Sequence, residues 1–168
     1  MAIALVTGAS RGIGKATALQ LASEGYTVAV NFHHNIKAAT DVINQIVDAG
    51  GKAFAVRADI SDEAQVMAMF EAIDRMGEPL TALVNNAGIS WIGLLQDMDV
   101  SQWNTLIASN LSSVFHCCKL AVPGMVKKQS GRIVNISSVW GVCGASCEAA
   151  YSASKGGVGA LTQDRKST

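Results

Sequence analysis

The chain has 168 residues, enough for one α/β domain with a substantial core, since chains of this size bury roughly 70% of their unfolded surface. Its 13 basic and 13 acidic residues balance, so overall charge gives no footing for a nucleic acid, an anionic membrane or a strongly acidic partner, and a small-molecule partner is expected. The apolar stretches read as strand-sized rather than the roughly 20 residues of a membrane helix, and the apolar start runs into Thr7-Gly8 without a charged leader, so the expected address is the cytoplasm.

Short β-rich apolar runs alternate with longer segments of helical period, the pattern of parallel strands joined by crossover helices. In chain order, strands are expected near Ile3 to Val6, Thr27 to Asn31, Ala53 to Arg57, Ala82 to Asn85 and Arg132 to Ile136. The runs are continuous rather than alternating, as for strands covered on both faces. Helices are expected near Gly12 to Glu24, Ile36 to Ala49, Glu63 to Arg75, Ser101 to Lys128 and Glu148 to Gln163. Ser61 and Ser101 are the expected caps of two of them, Gly25, Gly50 and Gly77 stand where C-terminal glycines belong, and Gly131 precedes the last strand. Pro123 is expected to kink or end the fourth helix.

The fold class that follows is α/β, a Rossmann-type doubly wound parallel sheet of about five strands. No repeat or linker divides the chain, which reads as one dinucleotide-binding domain over residues 1–168. After the last helix comes the polar tail Asp164-Arg165-Lys166-Ser167-Thr168. The second half of the sheet therefore has two strands where a complete one has three, and the domain is expected to be incomplete at its C-terminus.

Thr7-Gly8-Ala9-Ser10-Arg11-Gly12-Ile13-Gly14 follows a predicted strand and opens a predicted helix, the context a glycine motif needs to signal phosphate binding. Gly8 permits the tight turn, Gly12 lets backbone approach a pyrophosphate, Gly14 allows close helix packing, and the helix N-terminus offers amides to negative charge. NAD-selective folds place an acid about 20 residues on. Here that stretch is Asn31-Phe32-His33-His34, with Arg11 available in the turn, so NADP is expected in preference to NAD. Asp59, after the third strand, is placed either to meet an adenine edge or to cap the next helix.

The cysteines Cys117, Cys118, Cys143 and Cys147 form no CxxC pair; they read as small apolar residues of a reducing compartment. His33, His34 and His116 lie far from Cys143 and Cys147 in sequence, so no metal site is expected. Tyr151 and Lys155, four residues apart, share one helix face. A phenol is ordinarily a poor base at neutral pH and a neighbouring ammonium favours its anion, so this spacing equips Tyr151 for proton exchange.

Four motifs in order, the TGASRGIG turn, Asn85-Asn86-Ala87-Gly88, Ser138 and Tyr151-Ser152-Ala153-Ser154-Lys155, together with Asn110, make the chain resemble the short-chain dehydrogenase/reductase family. Within it the likeness is to bacterial 3-oxoacyl-(acyl-carrier-protein) reductases, from Ile3 to about Thr162. The stretches before and after about Gly88 resemble different bacterial members, so a recombined or engineered hybrid is one expectation.

The resemblance implies a catalytic set of Asn110, Ser138, Tyr151 and Lys155. Tyr151 would protonate a carbonyl oxygen as hydride reaches carbon, Ser138 would hydrogen-bond that oxygen, Lys155 would also hold the nicotinamide ribose, and Asn110 would position a water. It implies cofactor contacts from Gly8, Ser10, Arg11, Gly12, Ile13, Gly14, Asn31, His33, Asp59, Ile60, Asn86, Ala87, Gly88, Tyr151 and Lys155. Asn85 and Asn86 are also read as amides that bond across neighbouring strand ends. Trp91, Trp140 and Gly141 to Ser146 are placed either to border substrate or to pack.

A homodimer is expected, because the fifth strand would have an open edge and Gly156, Gly157 and Gly159 let helices approach closely in the family. Val158 and Leu161 would form an apolar patch beside them. A folded piece of the family with little turnover is the alternative to an active reductase.

Overall fold

The structure, a computed structural model, describes residues 2–163, so the polar tail from Asp164 lies outside the described residues. The five strands are β1 (Ile3–Val6), β2 (Thr27–Phe32), β3 (Lys52–Arg57), β4 (Leu80–Asn85) and β5 (Arg132–Asn135). They form one parallel sheet in the order β3-β2-β1-β4-β5. Order reverses between β1 and β4, and the C-terminal strand ends beside that switch point are where open α/β sheets bind ligands.

The helices are α1 (Gly12–Ser23), α2 (Ile36–Asp48), α3 (Glu63–Asp74), α4 (Val100–Ile107), α5 (Ser113–Lys128), α6 (Trp140–Cys143) and α7 (Ala149–Gln163). One apolar cluster joins Val6, Val28 and Val30 to Ala18 of α1 and Val42 and Ile46 of α2. A second joins Ile3, Leu5 and Leu83 to Phe70 and Ile73 of α3 and Cys117 and Ala121 of α5. The central strands β1 and β2 are buried throughout, as continuous apolar runs require, whereas the edge strands β3 and β5 are only partly covered.

Several local expectations are corrected. The long fourth helix is interrupted by a π-helical turn, Ala108–Ser112, between α4 and α5. Pro123 does not end α5, which runs on to Lys128; Pro123 is exposed, where the carbonyl it leaves without a donor can meet water. That helix ends on left-handed Gln129 (φ 50°), while Gly25, Gly50 and Gly77 hold positive φ as expected.

The caps differ as well. Asp62, not Ser61, caps α3 by accepting from Ala64 N and Gln65 N. Asp99, not Ser101, precedes α4, and its N–H donates to Gln102 Oε1 at 2.9 Å. A carboxylate at these positions also meets the positive end of the helix dipole.

Of the apolar patch expected on α7, Leu161 is half-buried and Val158 is no part of the surface. Val158 is 1% exposed, and a Cβ on Gly157 would stand 2.7 Å from Leu111 Cδ2. The helix packs on its own chain, against α4 and the π turn. Nor are the apolar stretches all strand-sized: the helical run Val100–Lys128, 29 residues, is long and apolar enough to cross a membrane by length and composition. Here its residues Val114, Cys117, Ala121 and Met125 face the core. Cys117 is buried and Cys118 half-buried, but Cys143 and Cys147 are exposed rather than packed.

Candidate functional site

The site grows from the loops that follow β1, β2, β3 and β4. Gly8 (φ 61°) turns the chain so tightly that a Cβ there would stand 2.9 Å from Ala87 Cβ. On Gly14 a Cβ would stand 2.5 Å from both Asn86 Nδ2 and Gly8 O, so that glycine lets α1 close onto the turn itself. Gly12 (φ 56°) differs, since nothing lies within 4 Å of the place its Cβ would take.

Buried amides and a hydroxyl lock this turn to its neighbours. Asn31 accepts the Gly8 N–H at 3.1 Å and donates to Val56 O and Ala58 O at 3.3 and 3.2 Å. Asn86 Nδ2 donates to Thr7 O and Gly8 O at 2.9 and 3.2 Å. Thr7 Oγ1 accepts from Asn86 N and Ala87 N at 3.0 and 3.1 Å. Asn85 bonds across to Asn135 Oδ1 at 2.8 Å, as its place at a strand end suggested.

These loops enclose a cleft of about 740 Å³. Gly8, Ser10, Arg11, Gly12, Ile13, Asn31, His33, Asp59, Ile60, Asn86, Ala87 and Gly88 all line it, whereas Gly14 lies behind the wall. Asn31 lines it with its amide already committed to backbone, so it shapes the cleft rather than reaching into it. His34, Asn35, Ala38, Ile89 and Ser109 also line it and were not anticipated. The chemistry of the wall suits a diphosphate: the surface over Gly12 is bare, and neither a side-chain cap nor an acidic residue occupies the first turn of α1.

Asp59 does not cap α3. Burial pushes its carboxyl up, but the Ser61 hydroxyl and amide and the His33 ring outweigh that and hold it below the usual range. The Ser61 contacts are 2.9 and 2.7 Å long, and His33 Nε2 lies 3.7 Å from Asp59 Oδ2.

Beside Gly88 the cleft meets a second group of side chains. A Cβ on Gly88 would lie 3.1 Å from Asn110 Oδ1 and 3.6 Å from Lys155 Nζ. Asn110, fully buried in the π turn, accepts from Ile89 N and donates to Ile89 O, both at 2.8 Å, and to Ser154 Oγ at 3.1 Å. Both its N–H groups are thus spent on protein.

Lys155 is 5% exposed, and Nζ donates to Ile136 O at 2.7 Å and stands 5.8 Å from the centre of the Tyr151 ring. Burial pushes its ammonium below the usual lysine range. Ser138, just after β5, accepts the Trp140 N–H at 3.2 Å. Ser137 Oγ bonds Lys155 O at 2.9 Å, and Ser154 Oγ bonds Tyr151 O at 2.7 Å. Ser138, Tyr151 and Lys155 stand outside the lining of the cleft, at its Gly88 end. Trp140 begins the short helix α6, and Gly141 packs so closely on α7 that a Cβ would lie 2.6 Å from the Lys155 carbonyl carbon.

A parallel sheet in this order, a glycine turn at its switch point and a tyrosine-lysine helix beside it define a Rossmann-type domain of the dehydrogenase class. The chain belongs to the short chain dehydrogenase family, whose family model matches residues 2–167. It is 53% identical over 167 residues to the uncharacterized oxidoreductase YgfF of Escherichia coli strain K12, a match covering 96% of this chain and 68% of that one. It is 45% identical over 160 residues to the 3-oxoacyl-(acyl-carrier-protein) reductase FabG of Staphylococcus aureus strain Mu50, covering 95% of this chain and 65% of the relative. Among solved structures, a metagenomic short-chain oxidoreductase in complex with NADP matches with a TM-score of 0.91 at 37% identity, over 95% of this chain and 72% of that one. The chain thus spans about two thirds of the length of these relatives.

Proposed function

We propose that the chain carries the dinucleotide-binding and proton-transfer parts of a reductase that moves hydride between NADP(H) and a carbonyl carbon, with a short 3-oxoacyl thioester as substrate class. The observation that carries this reading is Gly88, where the phosphate-type cleft and the Asn110-Lys155 pair meet within a side chain's width. The FabG relative points to the thioester and the NADP complex of the metagenomic enzyme to the cofactor.

The bare turn at Gly12 and the first-turn amides of α1 receive the diphosphate, with Arg11 at its rim. The dinucleotide, when bound, supplies hydride chemistry. Tyr151 donates its phenolic proton to the substrate oxygen, and Ser138 donates a second hydrogen bond to that oxygen, which stabilises the charge that builds there. Lys155 keeps positive charge beside Tyr151, so that the phenolate left after proton transfer is favoured. Asn110 and Ser154 act one step back, by fixing Ile89 and the first turn of α7.

The test is oxidation of NADPH with an acetoacetyl thioester. Tyr151→Phe should lower the rate by about 10²- to 10⁴-fold while dinucleotide binding, followed by fluorescence, is unchanged. Equal rates in the two proteins would overturn the assignment.

A second reading, a folded piece with little turnover, is favoured by the openness of the face around Ser138, where Val139, Trp140 and Val142 are 63%, 40% and 90% exposed. Positioning and water exclusion supply several kcal/mol of barrier lowering, of the order of 7 to 11 kcal/mol for positioning alone, and nothing among the described residues closes over this face. Tight dinucleotide binding with no thioester-dependent oxidation is the result that selects it.

A further inference from the structure

Ser154, between Tyr151 and Lys155 in α7, is fully buried. Its hydroxyl donates to the Tyr151 carbonyl at 2.7 Å and accepts from Asn110 Nδ2 at 3.1 Å. That carbonyl is the one an α-helix pairs with the Lys155 amide, so the hydroxyl meets the backbone at the step that joins the tyrosine to the lysine.

Lys155 is held in place without it. Nζ donates to Ile136 O at 2.7 Å, Ser137 Oγ donates to the Lys155 carbonyl at 2.9 Å, and Gly141 packs on the same peptide, its would-be Cβ 2.6 Å from the Lys155 carbonyl carbon. Tyr151 lies instead in the first turn of α7, where amides lack partners within the helix and opening is easiest. The π turn supplies the missing anchor. Asn110 is tied to both the N–H and the carbonyl of Ile89 at 2.8 Å, and its donation to Ser154 polarises the hydroxyl and strengthens the bond passed on to Tyr151.

We propose that Ser154 is a positioning residue whose hydroxyl, braced by Asn110, sets the Tyr151 phenol at one fixed place relative to Lys155, so that turnover depends on it and binding does not. This placement rests on the hydride-transfer reading above and names the group that gives that site its geometry. A tyrosine has only two side-chain torsions, and its oxygen stands at the far end of a rigid ring. A small rotation of the turn is therefore magnified at the atom that gives up the proton, and a displacement of about 1 Å there can lower a rate roughly 10²-fold.

Two variants separate the hydroxyl from the space it fills. Ser154→Ala keeps a strong helix former and removes both bonds. Ser154→Cys refills the volume with a group that donates and accepts only weakly. With NADPH and an acetoacetyl thioester, each should lose about 10- to 100-fold in kcat while the thioester KM and the NADPH dissociation constant stay within about twofold of wild type. A second readout needs no turnover. The chain has two tyrosines, Tyr26 and Tyr151, so the protein grown on meta-fluorotyrosine gives two fluorine resonances, assigned by Tyr151→Phe. Both serine variants should shift or broaden the Tyr151 resonance and leave that of Tyr26 alone.

A Ser154→Ala protein with wild-type kcat or an unmoved Tyr151 resonance overturns the positioning role, and a Ser154→Cys protein with full kcat shows that Ser154 only fills space. Either result leaves the hydride-transfer reading intact. Undiminished turnover in Tyr151→Phe removes that reading and this role with it, and in a chain without turnover the fluorine resonances decide. Far-ultraviolet dichroism verifies that each variant is folded, and where the alanine variant is not, the cysteine variant carries both measurements.

Discussion

The glycines of the turn do different work, although the sequence spaces them as one motif. Gly14 faces backbone and an amide at 2.5 Å, so Gly14→Ala forces the turn to move and should cost about 1 to 3 kcal/mol of stability, with loss of dinucleotide binding. Gly12 faces open space, so Gly12→Ala strains only its left-handed backbone, roughly 1 to 2 kcal/mol, and places a methyl where a diphosphate would lie. Urea unfolding and cofactor titration separate the two: Gly12→Ala should lose binding out of proportion to stability, and wild-type affinity in that variant would refute the phosphate role. The turn at Gly8 and the shared helix face of Tyr151 and Lys155 were legible because both depend on local spacing. Thr7 and Ser154 were not, because a hydroxyl that accepts from an amide 79 residues away leaves no trace in its neighbourhood. Asn31 was placed at the cleft wall by sequence, but only the fold shows its amide bonded to Gly8, Val56 and Ala58.

At the scale of elements, β1, β2 and most of β4 could be read because burial on both faces writes itself as an unbroken apolar run, whereas the partly covered edge strands β3 and β5 could be read as short β-rich runs between longer helical segments. Helix ends were read within a residue or two wherever a glycine with positive φ follows. The π turn at Ala108–Ser112 escaped, because one extra residue in a helix changes no composition or period that a short window can register. It is also the element that carries the buried Asn110, so a residue named from sequence is set in a turn that the sequence did not show. The elements also sort the cysteines. Cys117 lies on the core side of α5, where burial pushes its thiol up to about 12 and also raises that of Cys118, whereas Cys143 and Cys147 ride on exposed chain around α6. A thiol reagent at neutral pH should therefore modify two groups promptly and the other two only on unfolding. Uniform labelling of all four in the folded protein would contradict the packing of α5.

Among the described residues of the whole molecule the sheet has two ends, β3 and β5, and they are not alike. β3 is six residues long and ends in charged Lys52 and Arg57, a natural protection for an edge. β5 is a four-residue strand whose Val134 is 51% exposed. Beside it a groove of about 390 Å³ runs between Val122, Met125 and Val126 of α5 and Gly131 to Ile133. Unpaired strand amides next to apolar surface favour a second strand edge. Because α7 keeps Val158, Gly156 and Gly157 for its own chain, the β5 edge rather than that helix is the surface from which we expect self-association. Pairing β5 with β5 about a two-fold axis closes the assembly at two copies, whereas a head-to-tail contact would continue into fibres. Light scattering at several concentrations should accordingly give a dimer at tens of micromolar. Val134→Lys, which puts a charge on the edge without touching a buried residue, should shift that protein to a monomer with unchanged dichroism. A wild-type chain that stays monomeric across the series, or a dimer indifferent to Val134→Lys, would show that the β5 edge is satisfied some other way.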